Sequence, residues 1–133
     1  MPFEEISHTA DWSIRVWADD LAGLLTESAR GMYVLANAEQ SDGPRLKRAL
    51  SLDAVDGESL LVAFLEELLY LAEAENLIFN SIGKMKIDGY QLKVEMEGAA
   101  ITSIDKEIKA VTFHNLEIRQ SARGLEVEIV FDV

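Results

Sequence analysis

The sequence predicts an α+β fold, a mostly antiparallel β-sheet with two amphipathic helices packed on one face. Two stretches space their apolar residues for a helix, several others alternate with period two, and Asp88-Gly89 falls between two of the alternating stretches. The later strands follow one another through short turns, and such hairpins need no helical crossover, which makes the pairing antiparallel.

The first strand begins at Trp12, with Trp12, Ile14, Val16 and Ala18 sharing a face. A helix follows over Asp20 to Ala38: Leu21, Leu24, Leu25, Ala29, Met32, Leu35 and Ala36 form one stripe, and Asp19 or Asp20 can cap it. Gln40 to Arg45 (QSDGPR) is the one plausible long loop. Leu50, Leu52 and Ala54 then mark a second strand. In the second helix, Ser59 to Glu75, residues Leu61, Phe64, Leu65, Leu68, Leu71 and Ala72 make the buried face, while Glu58, Glu66, Glu67, Glu73 and Glu75 form much of the rest. Asp56 suits its N-cap and Asn76 its end.

Phe79, Met85 and Ile87 lie on a long third strand, and Asp88-Gly89 turns it into a fourth with Tyr90, Leu92, Val94 and Met96 on one face. Lys109 to Arg119 alternates but shifts phase at His114-Asn115, which implies a bulge or short break. After a turn at Ala122-Arg123-Gly124, the last strand points Leu125, Val127, Ile129, Phe131 and Val133 inward and Glu126, Glu128 and Asp132 outward. The element order is β-α-β-α-β-β-β-β.

With 133 residues, 49% hydrophobic and 27% charged, the chain fits a single domain over 1–133, since two cores of half that size would barely offset their chain entropy. The acidic start MPFEEISHTAD is unlike a secretory signal, and no apolar run is long enough to span a membrane, so the expected location is cytoplasmic. No cysteine is present, which excludes disulfides, thiolate zinc sites and cysteine nucleophiles. A net charge of −12 argues against direct nucleic-acid binding, because affinity for nucleic acid comes largely from neutralised phosphates. It favours a basic protein partner or a cation, and it also simply confers solubility.

Phosphate-binding glycine loops, HExxH and GxSxG are all missing, and the only histidines are His8 and His114. What remains is oxygen-ligand chemistry, in which a few carboxylates with carbonyls and water hold a hard divalent cation. Ser7-His8-Thr9-Ala10-Asp11 precedes the first strand; Thr9 and Asp11 there either hydrogen-bond a local turn or offer ligands at a strand end. Asp132 points away from the buried face and is either solvated or a ligand, with the carboxylate of Val133 beside it in sequence. Lys109 is a snorkelling surface lysine or a cation offered to a phosphate. His114 is a hydrogen-bonded structural residue or a secondary functional one, and His8 alone says little.

Three separated stretches and the chain end share one pattern: His8-Thr9-Ala10-Asp11, Leu60-Leu61-Val62-Ala63-Phe64-Leu65-Glu66-Glu67-Leu68-Leu69, Lys109-Ala110-Val111-Thr112-Phe113-His114, and Phe131-Asp132-Val133. Together they resemble the archease family over essentially the whole chain. Ser7 stands where that family commonly has an acidic residue, and Phe113 where it often has tyrosine. The resemblance implies an accessory protein, not an enzyme, that activates an RtcB-type tRNA-splicing RNA ligase. In that role it promotes transfer of a nucleotide (guanylylation) onto the ligase, supports multiple turnovers and can broaden which nucleoside triphosphate is used. By the same resemblance Asp11, Asp132 and Val133 are the metal ligands, for calcium or for magnesium or manganese, and Lys109 is the functional lysine. Two alternatives differ in class. One is a stand-alone metal-dependent phosphoesterase using the same acids, with His8 or His114 as base; the other is a chaperone-like module, which would need a broad exposed apolar patch.

Overall fold

Each helix begins where an aspartate can accept an amide and ends where an asparagine can turn left-handed, and these local signals set the frame of the fold. The computed structural model describes residues 2–6 and 12–133. Its elements are β1 Phe3–Ile6, β2 Trp12–Ala18, α1 Leu21–Ala36, β3 Glu39–Gln40, β4 Leu46–Asp53, α2 Gly57–Glu75, β5 Leu77–Asp88, β6 Gln91–Ser103, β7 Ala110–Val111, β8 Arg119–Ser121 and β9 Gly124–Asp132. Asp20 caps α1 by accepting the Gly23 amide at 2.8 Å, and Asp56 caps α2 by accepting that of Ser59 at 2.7 Å. Asn37 and Asn76, at φ 49° and 58°, close the two helices.

The strands form two sheets rather than one, and all their described pairings are antiparallel. One runs β1-β2-β9-β7, with β8 also on β9; in the other, β6 is flanked by β5 on one side and by β4 and β3 on the other. Helix α1 lies chiefly on β2 and also reaches β1 and β5, whereas α2 spans β4, β5 and β7. A single buried cluster therefore joins both sheets, from Ile14, Val16, Ile129 and Phe131 through Leu24, Phe64 and Leu68 to Leu92 and Val94. The alternation of β2 and β9 is reproduced in this burial, since Ile14, Val16, Val127, Ile129 and Phe131 are all core residues.

Several local expectations shift. The loop of the β5–β6 hairpin is Gly89-Tyr90, flanked by the pair Asp88 and Gln91, so Tyr90 is a turn residue and not part of the buried row. Gly89 has φ 62° at the first loop position, where a two-residue hairpin of the II′ kind requires glycine. Of the bulge or short break expected at His114-Asn115, the structure has the break, and it is longer than expected: β7 is two residues long, Asn115 turns left-handed at φ 53°, and pairing resumes only at Arg119. Strands β1 and β3 were not foreseen, because four and two residues are too few to display a period.

The α2 cap and the Arg48–Glu75 pair make the fold sensitive to acid. The Ser59 amide holds the Asp56 carboxyl below its usual range, and hydrogen bonds from Arg48 do the same for Glu75. A carboxyl whose folded pKa is depressed stabilises above its unfolded pKa, about 4, and that contribution disappears as pH falls through the folded value. The midpoint of thermal unfolding should therefore drop on going from pH 7 to below pH 4. The drop should be smaller in Asp56→Asn, which keeps a cap acceptor that does not titrate. Equal acid sensitivity in the two proteins would show that Asp56 contributes nothing to it.

Candidate functional site

Strand β9 is paired along both sides, and this brings the candidate residues from remote parts of the sequence together. On one side Trp12 lies opposite Phe131, so the residue that follows Asp11 sits across from the residue that precedes Asp132. On the other side Ala110 is the partner of Asp132, and the Lys109 amide donates to the Asp132 carbonyl at 2.8 Å. Asp132 and Lys109 are both exposed, while Val133 is half-buried against the core. Phe131 points inward from the same strand, so alternation turns Asp132 to the outer face. Asp11 and His8 lie outside the described residues.

A second lysine, not foreseen, completes this corner: Lys106 places its ammonium 4.5 Å from the centre of the Trp12 ring. No described carboxylate lies within ion-pairing distance of Lys109, and all the ion pairs between described residues are made by arginines. The Lys109 charge is thus available to an incoming group.

The segment that carries Lys109 is held to α2 by carboxylates that periodicity assigned to a solvated helix face. Glu66 accepts the Val111 amide at 2.9 Å, and Glu58 accepts the Ile118 amide at 2.9 Å. The first supplies a partner that the two-residue β7 lacks on its α2 side and the second bonds an amide just before β8, since a half-buried amide must be bonded somewhere. Nothing in the sequence beyond the position of Glu66 within the Leu65-Glu66-Glu67-Leu68 run hinted at this role.

His114 is not brought to the corner. Beyond Val111 the chain runs away from Asp132, and His114 stands exposed in the Asn115 turn, its amide donating to Thr112 Oγ1 and its ring beside the Asn115 amide. Among the described residues no three histidine, aspartate or glutamate side chains converge closely enough to hold a metal ion. Asp132 and the oxygens of Val133 are donors of the hard kind that calcium, magnesium or manganese accepts.

Comparison with known proteins agrees with this architecture. The chain matches the Archease protein family over residues 3–133. It is 32% identical to the protein archease of Pyrococcus furiosus, covering 92% of this chain and 91% of that protein. Against the protein archease of Methanopyrus kandleri it is 29% identical over the full length of both. The crystal structure of an archease from Thermotoga maritima, described as a possible chaperone, superposes with a TM-score of 0.69 over 98% of this chain and 96% of that one, at 22% identity. The solution structure of Methanobacterium thermoautotrophicum protein 1598 gives 0.69 at 23% identity, covering 99% of each chain. At those identities the two superpositions bear on the fold alone. The match along nearly the whole sequence and the relatives above 30% identity bear on descent, and by them this chain belongs to the archease family.

Proposed function

We propose that the protein is an accessory activator of an RtcB-type tRNA-splicing RNA ligase and not an enzyme itself. It would promote nucleotidyl transfer onto the ligase, sustain multiple turnovers and widen the usable nucleoside triphosphates. The observation that carries the reading is the double pairing of β9, which sets Trp12 on one side and Lys109 on the other of the strand end bearing Asp132. An acidic domain with net charge −12 suits docking at the rim of an enzyme that must be basic to hold RNA and triphosphate.

In this reading Asp11, Asp132 and an oxygen of Val133 hold a divalent cation, calcium or else magnesium or manganese. Such an ion, when bound, neutralises and orients phosphate oxygens. Lys109, exposed and without a carboxylate partner among the described residues, points its charge toward the transferred phosphate and lowers the cost of its developing negative charge. Lys106 lies over Trp12 at the start of β2 and adds a second positive charge to this corner. No described helix is long and apolar enough to cross a membrane, and we place the protein in the cytoplasm with its ligase.

The test is ligase nucleotidylation followed over several turnovers with and without this chain. The wild-type chain should raise the rate after the first turnover, and Lys109→Ala should lose most of that gain while still binding the cation. A ligase indifferent to saturating wild-type protein would end this reading. The alternative of a stand-alone phosphoesterase predicts metal-dependent hydrolysis of a simple phosphate ester by the purified chain with no ligase present. It gains no support from His114, which stands away from Asp132.

A further inference from the structure

A groove of about 820 Å³ is bounded by the end of α1, the second half of α2 and the segment Ile104–Lys109. Its floor is apolar, with Met32, Ala36, Leu69, Ala72 and Ile78 among its residues. Two large apolar groups stand at its edge unburied: Tyr70 is 60% exposed and Ile104 40%. Exposed aromatic and aliphatic side chains grouped around an apolar floor are the usual makings of a protein-binding patch. The rim carries Glu66, Glu73, Asp105 and Glu107 against Lys106 and Lys109, an acidic excess. Glu66 is occupied with the Val111 amide, Asp105 with Asn37, and Lys106 with Trp12, which leaves Glu73 and Glu107 as the carboxylates free to meet an incoming charge.

The groove is also preformed. The Ala36 carbonyl accepts the amides of both Asp105 and Lys106, at 3.0 and 3.1 Å, and Lys109 N is bonded to the Asp132 carbonyl, so the outer wall is fixed at both ends. On the opposite side Tyr33, whose hydroxyl accepts the Phe79 amide at 3.3 Å and is pushed by burial up to about 12 in pKa, ties α1 to β5. A groove that need not order itself on binding loses less entropy to its occupant. A volume of 820 Å³ is several side chains wide, which suits a peptide segment rather than one inserted residue.

We propose that this groove receives an amphipathic, basic segment of the partner protein, its apolar side chains on Leu69, Ala72 and Ile78 and its Lys or Arg residues against Glu73 and Glu107. The proposal rests on the ligase-activator reading for the identity of the partner, and deepens it: the groove ends at Lys109, so a segment lying in it would bring its own protein up to the Asp132 corner. The groove supplies affinity, while the corner supplies activation.

The experiment titrates ligase with the full chain and reads affinity and maximal nucleotidylation separately. Tyr70→Ala and Glu73→Lys should each weaken binding by about tenfold or more with the maximum retained at saturation. Salt should weaken wild-type binding more steeply than that of Glu73→Lys. Tyr90→Ala, an exposed aromatic in the β5–β6 turn, should bind as wild type. Circular dichroism of each variant checks that it is folded, and Ile104→Ser offers a second probe of the same patch should Tyr70→Ala unfold. Wild-type affinity in the groove variants, with stimulation intact, would overturn the groove and spare the activator reading. Failure of the wild-type chain to bind or stimulate would overturn both. Conversion of a homodimer to monomer by Tyr70→Ala, read by sedimentation, would make the occupant a second copy of this chain and overturn the proposal.

Discussion

Asp132→Ala is expected to reduce stimulation of the ligase by at least about 100-fold while leaving the fold intact. Loss of a group that only orients a metal ligand already costs 10- to 100-fold in affinity or activity, and Asp132 is proposed as a ligand itself. Its side chain is exposed on the outer face at the end of β9, where substitutions away from caps and cores usually change stability by less than about 0.5 kcal/mol. The strand end is held by main-chain bonds, Lys109 N to Asp132 O and the Trp12–Phe131 pair, which alanine preserves. Asp11→Ala should match it, since both acids are assigned to one ion. Calorimetric titration with calcium, magnesium and manganese separates the roles: both aspartate variants should lose binding, and Lys109→Ala should keep it. Undiminished stimulation by Asp132→Ala would remove the site.

Gly98→Ala should destabilise the domain by about 3 kcal/mol or more, the upper range for forcing an extra group into a closed space. Gly98 lies in β6 where β5 is bulged, between the pairings of Ile78 and Ser81. A Cβ there would overlap the Ile78 carbonyl oxygen and fall 2.8 Å from Phe79 Cα. These are backbone atoms of a fully buried strand segment, so no rotamer change relieves the overlap; β5 itself must move, and Phe79 with it. Lower chain entropy in the unfolded state favours alanine by only about 0.4–1 kcal/mol, too little to reverse the sign. Urea unfolding of the two proteins measures the difference. A cost under about 1 kcal/mol would mean that β5 can shift away freely.

Periodicity and caps are local, and what they encode was legible. Asp20, Asp56 and Asn76 cap the helices as expected, and the inward rows of β2 and β9 follow alternation. The first helix stops at Ala36, with Asn37 as its left-handed end, where periodicity carries it to Ala38. Where the local signal was thin the reading slipped: the hairpin loop moved one residue along, and the alternating run from Lys109 dissolved into a two-residue strand and a turn. That run is held by Glu66 and Glu58, side chains 45 and 60 residues away in sequence, and no window of neighbouring residues reports such a bond.

The candidate site divides in the same way. From the sequence alone came the donor chemistry: acids near both ends, a lysine in an apolar stretch, no thiol, and motifs that name a family. The tertiary structure alone decided that Trp12, Asp132 and Lys109 meet, and that His114 does not join them, because register between strands that are not neighbours in sequence is set by which faces must be buried together. The groove beside Lys109 belongs wholly to that second kind, since its walls come from two helices and a loop that are separate stretches of the sequence.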